Sequence, residues 1–337
     1  MARDAASRQA VAEALNLIDD RRPDRRREAA ALLDALYEAD AGADVPRVGV
    51  TGAPGAGKST LLDALVRALR ERGETVGIVA VDPSSQLSGG ALLGDRFRLR
   101  SGAGDPGVLV RSMAARSHLG GLADGAWGAV SVLSTVFDRV FVETVGVGQS
   151  ESEVANLVDT LVFVAQPGAG DVLQFMKAGV LELPDLFVVN KADLGPLADR
   201  TAHELEAGLG LGETDRDGWR LRVLSASARD GRGIGTLLEA LDDHGRHLAS
   251  GGRRRARRAR ASEALVLDGL SSRYGSYGLE ALGGADAVRA RVRAASGRSP
   301  FGWVESLGHE VEEALRKPAG ARSEVADAEP RSSPPER

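Results

Sequence analysis

Eight consecutive residues, Gly52-Ala53-Pro54-Gly55-Ala56-Gly57-Lys58-Ser59, have the spacing G-x-x-x-x-G-K-S between an apolar run, Val48-Gly49-Val50, and a helical pattern, Leu61 to Val66. A strand, a glycine loop and a helix in that order make a phosphate cradle. The glycines let successive backbone N–H groups turn inward around a β-phosphate, at a helix N-terminus whose partial positive charge favours an anion. Lys58 would reach the β- and γ-phosphates, Ser59 would ligate Mg²⁺, and Thr60 would follow in the first helical turn. A second set, Asn190-Lys191-Ala192-Asp193, comes directly after the apolar run Leu186-Phe187-Val188-Val189. The Asp193 carboxylate can accept both guanine N1–H and N2–H, Asn190 can contact the N7/O6 side, and the Lys191 stem can lie over the ring. Adenine lacks that donor pair and would leave the carboxylate unpaired. One set holds phosphates and the other reads the base, so together they point to GTP.

Between the two sets lie residues suited to sensing a γ-phosphate. Val140-Phe141-Val142-Glu143-Thr144-Val145-Gly146 reads as a buried strand ending in an acid, with a glycine three positions on. The Gly146 N–H can bind the γ-phosphate and Glu143 can hold Mg²⁺ directly or through water, so loss of the phosphate releases the loop. The residue after that glycine is Val147, whose apolar side chain cannot orient a water. Slow hydrolysis by the isolated chain is therefore expected, unless Gln149 or another group substitutes. A second loop begins with Asp82-Pro83-Ser84-Ser85 at the end of the run Val76 to Val81 and continues to Leu93-Gly94-Asp95. Acids at the carboxyl ends of parallel strands sit where ligands bind, so Asp82 and Asp95 are candidates to position Mg²⁺ or water; solvated turn aspartates are the plain alternative. A third loop, Gln166 to Asp171, opens a helix that carries Gln174 and Lys177 three residues apart on one face. Lysine usage draws attention to the last of these. Only four lysines occur, Lys58, Lys177, Lys191 and Lys317, while the other 39 of 43 basic residues are arginine. Two of the four lie in the motifs above, where a compact ammonium suits the geometry.

The elements that must hold these residues follow from periodicity. Strand-like runs alternate with helical patterns to about His247, which calls for an α/β fold with a mostly parallel sheet covered on both faces by helices. Near its end Val223-Leu224-Ser225-Ala226-Ser227 matches a last base-contacting loop, in which backbone N–H groups of Ser225, Ala226 and Ser227 meet the base oxygen. Helical patterns at Val11 to Ile18 and Ala29 to Tyr37 precede the core, and others at Ala285 to Ala294 and Val304 to Leu315 follow it. The expected organisation is a helical extension at 1–43, a P-loop GTPase domain at 44–250, a C-terminal helical region at 251–317 that packs on the domain or on a second copy, and a disordered tail at 318–337. The basic block Arg253-Arg254-Arg255-Ala256-Arg257-Arg258-Ala259-Arg260 reads as an arginine-faced helix in solvent, with a nucleic-acid or acidic-lipid contact as the alternative. His244 and His247 read as capping a helix end.

The chain has 337 residues, 43% of them hydrophobic, no cysteine and a formal net charge of −5. That length suffices for one large core with helical additions. The absence of cysteine excludes a disulfide framework and a thiolate metal site, and suits a reducing compartment. The charge gives no general case for nucleic acid, and neither a membrane span nor a signal-peptide core is present, so a cytoplasmic location is expected.

Taken together, Asp82-Pro83-Ser84-Ser85, Gly89-Gly90, Leu93-Gly94-Asp95, Arg116 to Gly121, Glu143-Thr144-Val145-Gly146-Val147-Gly148-Gln149-Ser150-Glu151, Pro167 to Asp171 and Asn190 to Asp193 resemble, in order, the MeaB/ArgK family of P-loop GTPases. The resemblance covers roughly residues 44–250 and is most specific from Glu143 to Glu151. It implies the SIMIBI class of the P-loop NTPase fold, with N- and C-terminal helical extensions and a homodimer through the C-terminal helices. It implies GTP/GDP and Mg²⁺ as ligands, with Ser59, Asp82, Asp95 and Glu143 around the metal. Lys58, Asp82, Asp95, Glu143, Gln174 and Lys177 would then form the catalytic and switch set. The function implied is that of a chaperone for an adenosylcobalamin-dependent acyl-CoA mutase, such as methylmalonyl-CoA mutase, with an adenosyltransferase as a candidate third component. GTP turnover would gate cofactor loading, protection and reactivation. Two departures stand out: Leu183-Pro184-Asp185 has a proline where many members do not, and Ser85-Gln86-Leu87-Ser88 differs from the usual switch-loop sequence. A metallochaperone GTPase for nickel or another metal is the alternative, although the five histidines show no ligand spacing. A binding switch with incidental hydrolysis and a protein kinase are further readings. Arg111 and Arg116 are the internal arginines that could stabilise a transition state.

Overall fold

The computed structural model describes residues 5–20, 22–83, 104–115, 121–144, 150–168, 182–209, 215–216, 218–295 and 297–316. Seven strands form one sheet: β1 (Arg47–Gly52), β2 (Val76–Pro83), β3 (Val108–Ala115), β4 (Arg139–Thr144), β5 (Thr160–Ala165), β6 (Leu186–Val189) and β9 (Arg222–Ser225). A two-residue pair, β7 (Asp215–Arg216) and β8 (Trp219–Arg220), stands apart from it. The order across the large sheet is β3-β2-β4-β1-β5-β6-β9, and every neighbouring pair is parallel. All residues of β1, β4, β5 and β6 are buried, as expected of strands with helices on both faces. β3 was not foreseen in the sequence. Its run Val108-Leu109-Val110 is short and gives way to Arg111-Ser112, a weak signal for an edge strand.

In chain order the helices are α1 (Ala5–Asp19), α2 (Pro23–Glu38), α3 (Lys58–Glu71), α4 (Gly121–Ser134), α5 (Ser150–Ala155), α6 (Pro196–Gly208), α7 (Ile234–Ala249), α8 (Arg253–Ala281), α9 (Ala285–Ala294) and α10 (Pro300–Arg316). Pro23 is the first residue of α2, where its missing N–H costs nothing. On one face of the sheet Leu61, Leu65 and Leu69 of α3 join Leu237 and Leu241 of α7 and Leu205 of α6. On the other, Val11 and Leu15 of α1 and Leu33 of α2 pack with Val130 and Leu133 of α4 against Val79, Val81, Val140 and Val142. The N-terminal helices thus cover the sheet itself. A smaller cluster, including Val266, Leu270, Val288, Trp303 and Leu307, joins α8, α9 and α10.

The basic block at the start of α8 is not a solvated face. Arg254, Arg257 and Arg258 lie at helical spacing on one side and turn inward. Arg257 makes a bidentate pair with Asp185, both bonds 2.8 Å, and Arg258 holds Asp159 at 2.8 and 2.7 Å. The carboxylates are 1% and 3% exposed. Each immediately precedes or closely leads a strand, Asp159 before β5 and Asp185 before β6, and each also accepts a backbone N–H, from Arg47 and from Leu161. Arg258 further donates to the carbonyls of Gly42, Ala43 and Val45. Arg255 faces outward, to Asp40 at 3.2 Å. A sequence of mixed arginines cannot reveal this, because the partners are about 70 to 100 residues away.

Candidate nucleotide site

The carboxyl ends of β1, β6 and β9 bring both motifs to one edge. β1 ends at Gly52, and α3 starts at Lys58 with Gly57 as its N-cap and no side-chain cap. The first-turn N–H groups therefore remain directed at the loop, as an anion requires. Two glycines are dictated by geometry. Gly52 has φ 137° and a Cβ there would stand 2.1 Å from the Val164 carbonyl oxygen; Gly57 has φ 85° and its Cβ would meet Asn190 Nδ2 at 2.6 Å. Lys58 is buried and its ammonium donates to the carbonyls of Gly52 and Ala53 at 2.8 and 3.0 Å. A phosphate entering the loop competes with those carbonyls for the same cation. Pro54, Gly55, Ser59 and Thr60 are exposed at the loop and helix start, whereas Ala53 and Ala56 are buried beneath it.

Asn190 is buried and joins the two halves. Its Nδ2 donates to the carbonyls of Ala56 and Gly57 at 2.9 and 3.3 Å, and its Oδ1 accepts from the Ala228 N–H at 3.2 Å. Lys191 has φ 60°, a left-handed conformation unusual for a side chain with Cβ. That turn carries its ammonium to the Gly55 carbonyl, 2.8 Å away, so its stem crosses above the phosphate loop. Asp193 follows in a short 3₁₀ turn, Ala192–Leu194, and accepts the Ser227 hydroxyl at 2.9 Å. Its other oxygen lies 3.7 Å from the exposed Arg229 guanidinium.

The last loop falls one step later than the sequence suggested. Ser225 ends β9 opposite Val189, and the Ala226 N–H is committed to the Val189 carbonyl at 2.9 Å. The Ala226 N–H is therefore not free to serve a base. Ser227 and Ala228 are the residues that meet Asp193 and Asn190. Two Ser-Ala dipeptides run in succession here, Ser225-Ala226 and Ser227-Ala228, and strand length decides between them. The tight turn closed by Gly231 N–H to the Ser227 carbonyl, 2.9 Å, fixes the later pair.

For the metal, Ser59 Oγ donates to Glu143 Oε1 at 2.6 Å, and Glu143 is 5% exposed. A hydroxyl and a carboxylate converging beside a phosphate loop are the oxygen donors Mg²⁺ takes when nucleotide and water supply the remainder, so the residues fit that ion. β2 and β4 pair as Val81↔Thr144, which sets the backbone of Asp82 at the same edge, one rung further on. Asp95, Gly146, Val147, Gln149, Gln174, Lys177 and Arg116 lie outside the described residues. Arg111 points elsewhere: it bonds Asn16 at 3.2 Å and pairs with Asp19 of α1, so it serves packing rather than phosphate. Among the described residues no group of three or more His, Cys, Asp or Glu could hold a metal ion. His244 is no helix cap. It is 1% exposed, its Nδ1 lies 2.8 Å from Thr160 Oγ1 and its ring packs on Trp219. Among the described residues no helix is long and apolar enough to cross a membrane.

Residues 11–276 match the family model described as methylmalonyl Co-A mutase-associated GTPase MeaB. The chain belongs to the MeaB family. This MeaB-family chain is 42% identical over 262 residues to a putative GTPase of Pyrococcus horikoshii, covering 77% of the chain and 80% of the relative. It is 39% identical to the GTPase ArgK of Escherichia coli, over 73% of the chain and 75% of that protein. The mitochondrial methylmalonic aciduria type A homolog of Caenorhabditis elegans is 34% identical, over 70% of the chain and 62% of the relative. A solved structure titled LAO/AO transport system kinase superposes with a TM-score of 0.63 at 30% identity, covering 90% of this chain and 93% of that one. The MeaB-family chain is thus a P-loop NTPase, and hydrolysis of GTP is its activity.

Proposed function

We propose that the chain is a GTP-driven chaperone of an adenosylcobalamin-dependent acyl-CoA mutase, with methylmalonyl-CoA mutase as the first candidate. Membership of a family named for association with that mutase supports the partner. The observation that carries the switching mechanism is the Asn190 side chain, which ties the phosphate loop to the base loop through bonds to Ala56, Gly57 and Ala228. Phosphate and base occupancy are then mechanically linked through one buried amide. In this reading Gly52 to Thr60 hold the phosphates, Lys58 neutralises the β- and γ-phosphates, and Asp193 with Ser227 and Ala228 reads guanine. Ser59 and Glu143 would hold Mg²⁺ together with Asp82 and Asp95; the ion supplies charge neutralisation on the phosphates when bound. Gly146, Gln174 and Lys177 respond to the γ-phosphate. Hydrolysis is slow until the mutase completes the site.

The test is GTP turnover by the purified full chain with and without a cobalamin-dependent mutase, in parallel with complex formation in GDP and in a non-hydrolysable GTP analogue. The expected result is acceleration of about tenfold or more, the scale of a partner that orders catalytic groups, with complex stability dependent on the nucleotide. Unchanged turnover at saturating mutase and no complex in either nucleotide would overturn the chaperone reading and leave the GTPase standing.

A further inference from the structure

At the opposite edge of the sheet from the phosphate loop lies a cavity of about 790 Å³, between α2, α4, the start of β5 and the junction of α7 with α8. Arg47, the first residue of β1, lines it, while Gly52 ends the same strand; five steps of strand place the two sites about 17 Å apart. The cavity is of the size that accommodates a small organic molecule.

Its floor is cationic. Arg47, Arg254 and Arg258 gather around one carboxylate, Asp159, which Arg258 holds at 2.7 Å and from which Arg254 Nε is 3.9 Å distant. Arg254 also lies 3.9 Å from the exposed Asp44, so among the described residues Arg47 is the one guanidinium of the three that no carboxylate pairs directly. Arg47 is 9% exposed and its Nε donates to Ser134 Oγ at 3.1 Å; among the described residues no acceptor is bonded to its two terminal nitrogens. Burial first, and then repulsion from Arg258, push its guanidinium down to about 9, with Asp159 only partly opposing. Two polar atoms beside it, Arg254 Nε and Ser131 Oγ, stand buried without a hydrogen-bond partner. Ser131 is 7% exposed, lines the cavity and lies one helical turn before Ser134 on the same face of α4. Buried donors without acceptors cost stability unless a ligand meets them.

The walls and the rim restrict what that ligand can be. Leu36, Trp127 and Leu157 supply apolar wall, suited to a hydrocarbon or aromatic body. The mouth carries Glu38, Asp40 and Asp44, all exposed, and these repel a polyanion such as a nucleotide or an acidic membrane surface. A single anionic head can pass them and reach the arginines.

We propose that this cavity is a second ligand site, distinct from the nucleotide site, that takes an organic monocarboxylate with an apolar body. The carboxylate accepts from the terminal nitrogens of Arg47 and from Ser131, and the body lies against Leu36 and Trp127.

The experiment is calorimetric titration of the full chain, saturated with GDP so that the phosphate loop cannot take an anion, using octanoate, 4-phenylbutyrate and inorganic phosphate as probes. At least one of the two carboxylates binds saturably at one site per chain. Arg47→Met weakens that binding at least about tenfold, as expected for loss of a charge-assisted hydrogen bond, and leaves GDP affinity unchanged. Ser131→Val, which removes the hydroxyl and leaves every arginine in place, weakens it as well and guards against a folding defect in the first variant. Absence of saturable binding by either carboxylate overturns the proposal, as does equal binding by wild type and both variants. Binding of phosphate alone, dependent on Arg47, overturns the carboxylate assignment. None of these outcomes bears on GTP hydrolysis, so failure here is separable from failure of the chaperone reading.

Discussion

Asp193 and Asn190 divide the work of base recognition differently from each other, and substitutions separate them. Asp193 presents a carboxylate braced by Ser227, which in the proposed function accepts two guanine donors. Asp193→Asn replaces one acceptor with an N–H₂ donor, so guanine meets a donor where it needs an acceptor. GTP affinity should fall by about 100-fold or more, the scale of polar discrimination at a buried site, while a xanthine nucleotide, which offers a carbonyl at that position, should gain. Competition binding with the two diphosphates checks this, and equal loss for both would refute the pairing. Asn190 is structural as much as recognitive: its three bonds to Ala56, Gly57 and Ala228 make it the strut between loops. Asn190→Ala should cost about 2–3 kcal/mol, because buried backbone groups lose partners, and should weaken pyrophosphate as well as GDP. Weakened GDP with unchanged pyrophosphate affinity would reduce it to a base contact. Sequence spacing made Asp193, Lys58 and the phosphate loop legible, because those chemistries are local. It did not reveal the strut, since Asn190 and Ala56 are 134 positions apart, nor which of two adjacent Ser-Ala pairs serves the base, which depends on where β9 ends.

At the scale of elements, the decisive contact is α8 against the amino edge of the sheet. Apart from β3, the strands of the parallel core were readable as apolar runs, whereas the basic block at 253–260 gave no sign that it faces inward; charge alone cannot distinguish a solvated helix face from a set of buried clamps. Asp185, the residue after the family departure at Pro184, takes part in the same contact, which does not explain the proline. Asp185 accepts the Leu161 N–H and the Arg257 fork, and so ties α8 to β5 and β6 at once. Arg257→Met would leave that carboxylate buried without its cation, at a cost of about 3–5 kcal/mol. Asp185→Asn should be comparably damaging, and the double variant Arg257→Met with Asp185→Asn should lose clearly less than the sum, because it removes both charges. Thermal and urea unfolding of the four proteins forms the cycle. Additive losses would mean that the pair is not coupled and that the helix is held by its other arginines.

For the whole molecule, buried groups beside that clamp tie stability to acidity. His244 sits under Trp219, 3.7 Å from Asp185 and 2.8 Å from Thr160 Oγ1. Burial lowers its ring to about 4 from 6.5; Asp185 opposes this and Arg257 assists it. The imidazole is thus neutral in the fold. Between pH 6.5 and about 4 the unfolded chain takes up a proton that the native chain refuses, so stability is complete above pH 6.5 and falls as pH drops through that window. The full loss is on the order of 3 kcal/mol. Asp159 lies in the same layer with its carboxyl held low, burial raising it but Arg258 and Arg47 prevailing; its contribution is lost only at lower pH, as the carboxylate protonates. The two phases are therefore separable by substitution. His244→Asn keeps a polar atom near Thr160 and removes the titrating ring, so it should be less stable than wild type at pH 7 yet lose less between pH 6.5 and 4. Unfolding midpoints of both proteins across that range decide the point, and parallel curves would assign the acid sensitivity to the carboxylates alone. Since α7 carries His244 in its buried face and meets the sheet at β5, acidification would first loosen the end of the molecule that holds α8. The nucleotide edge, built on Gly52, Asn190 and Ser227, should keep its affinity for GDP until the fold itself is lost.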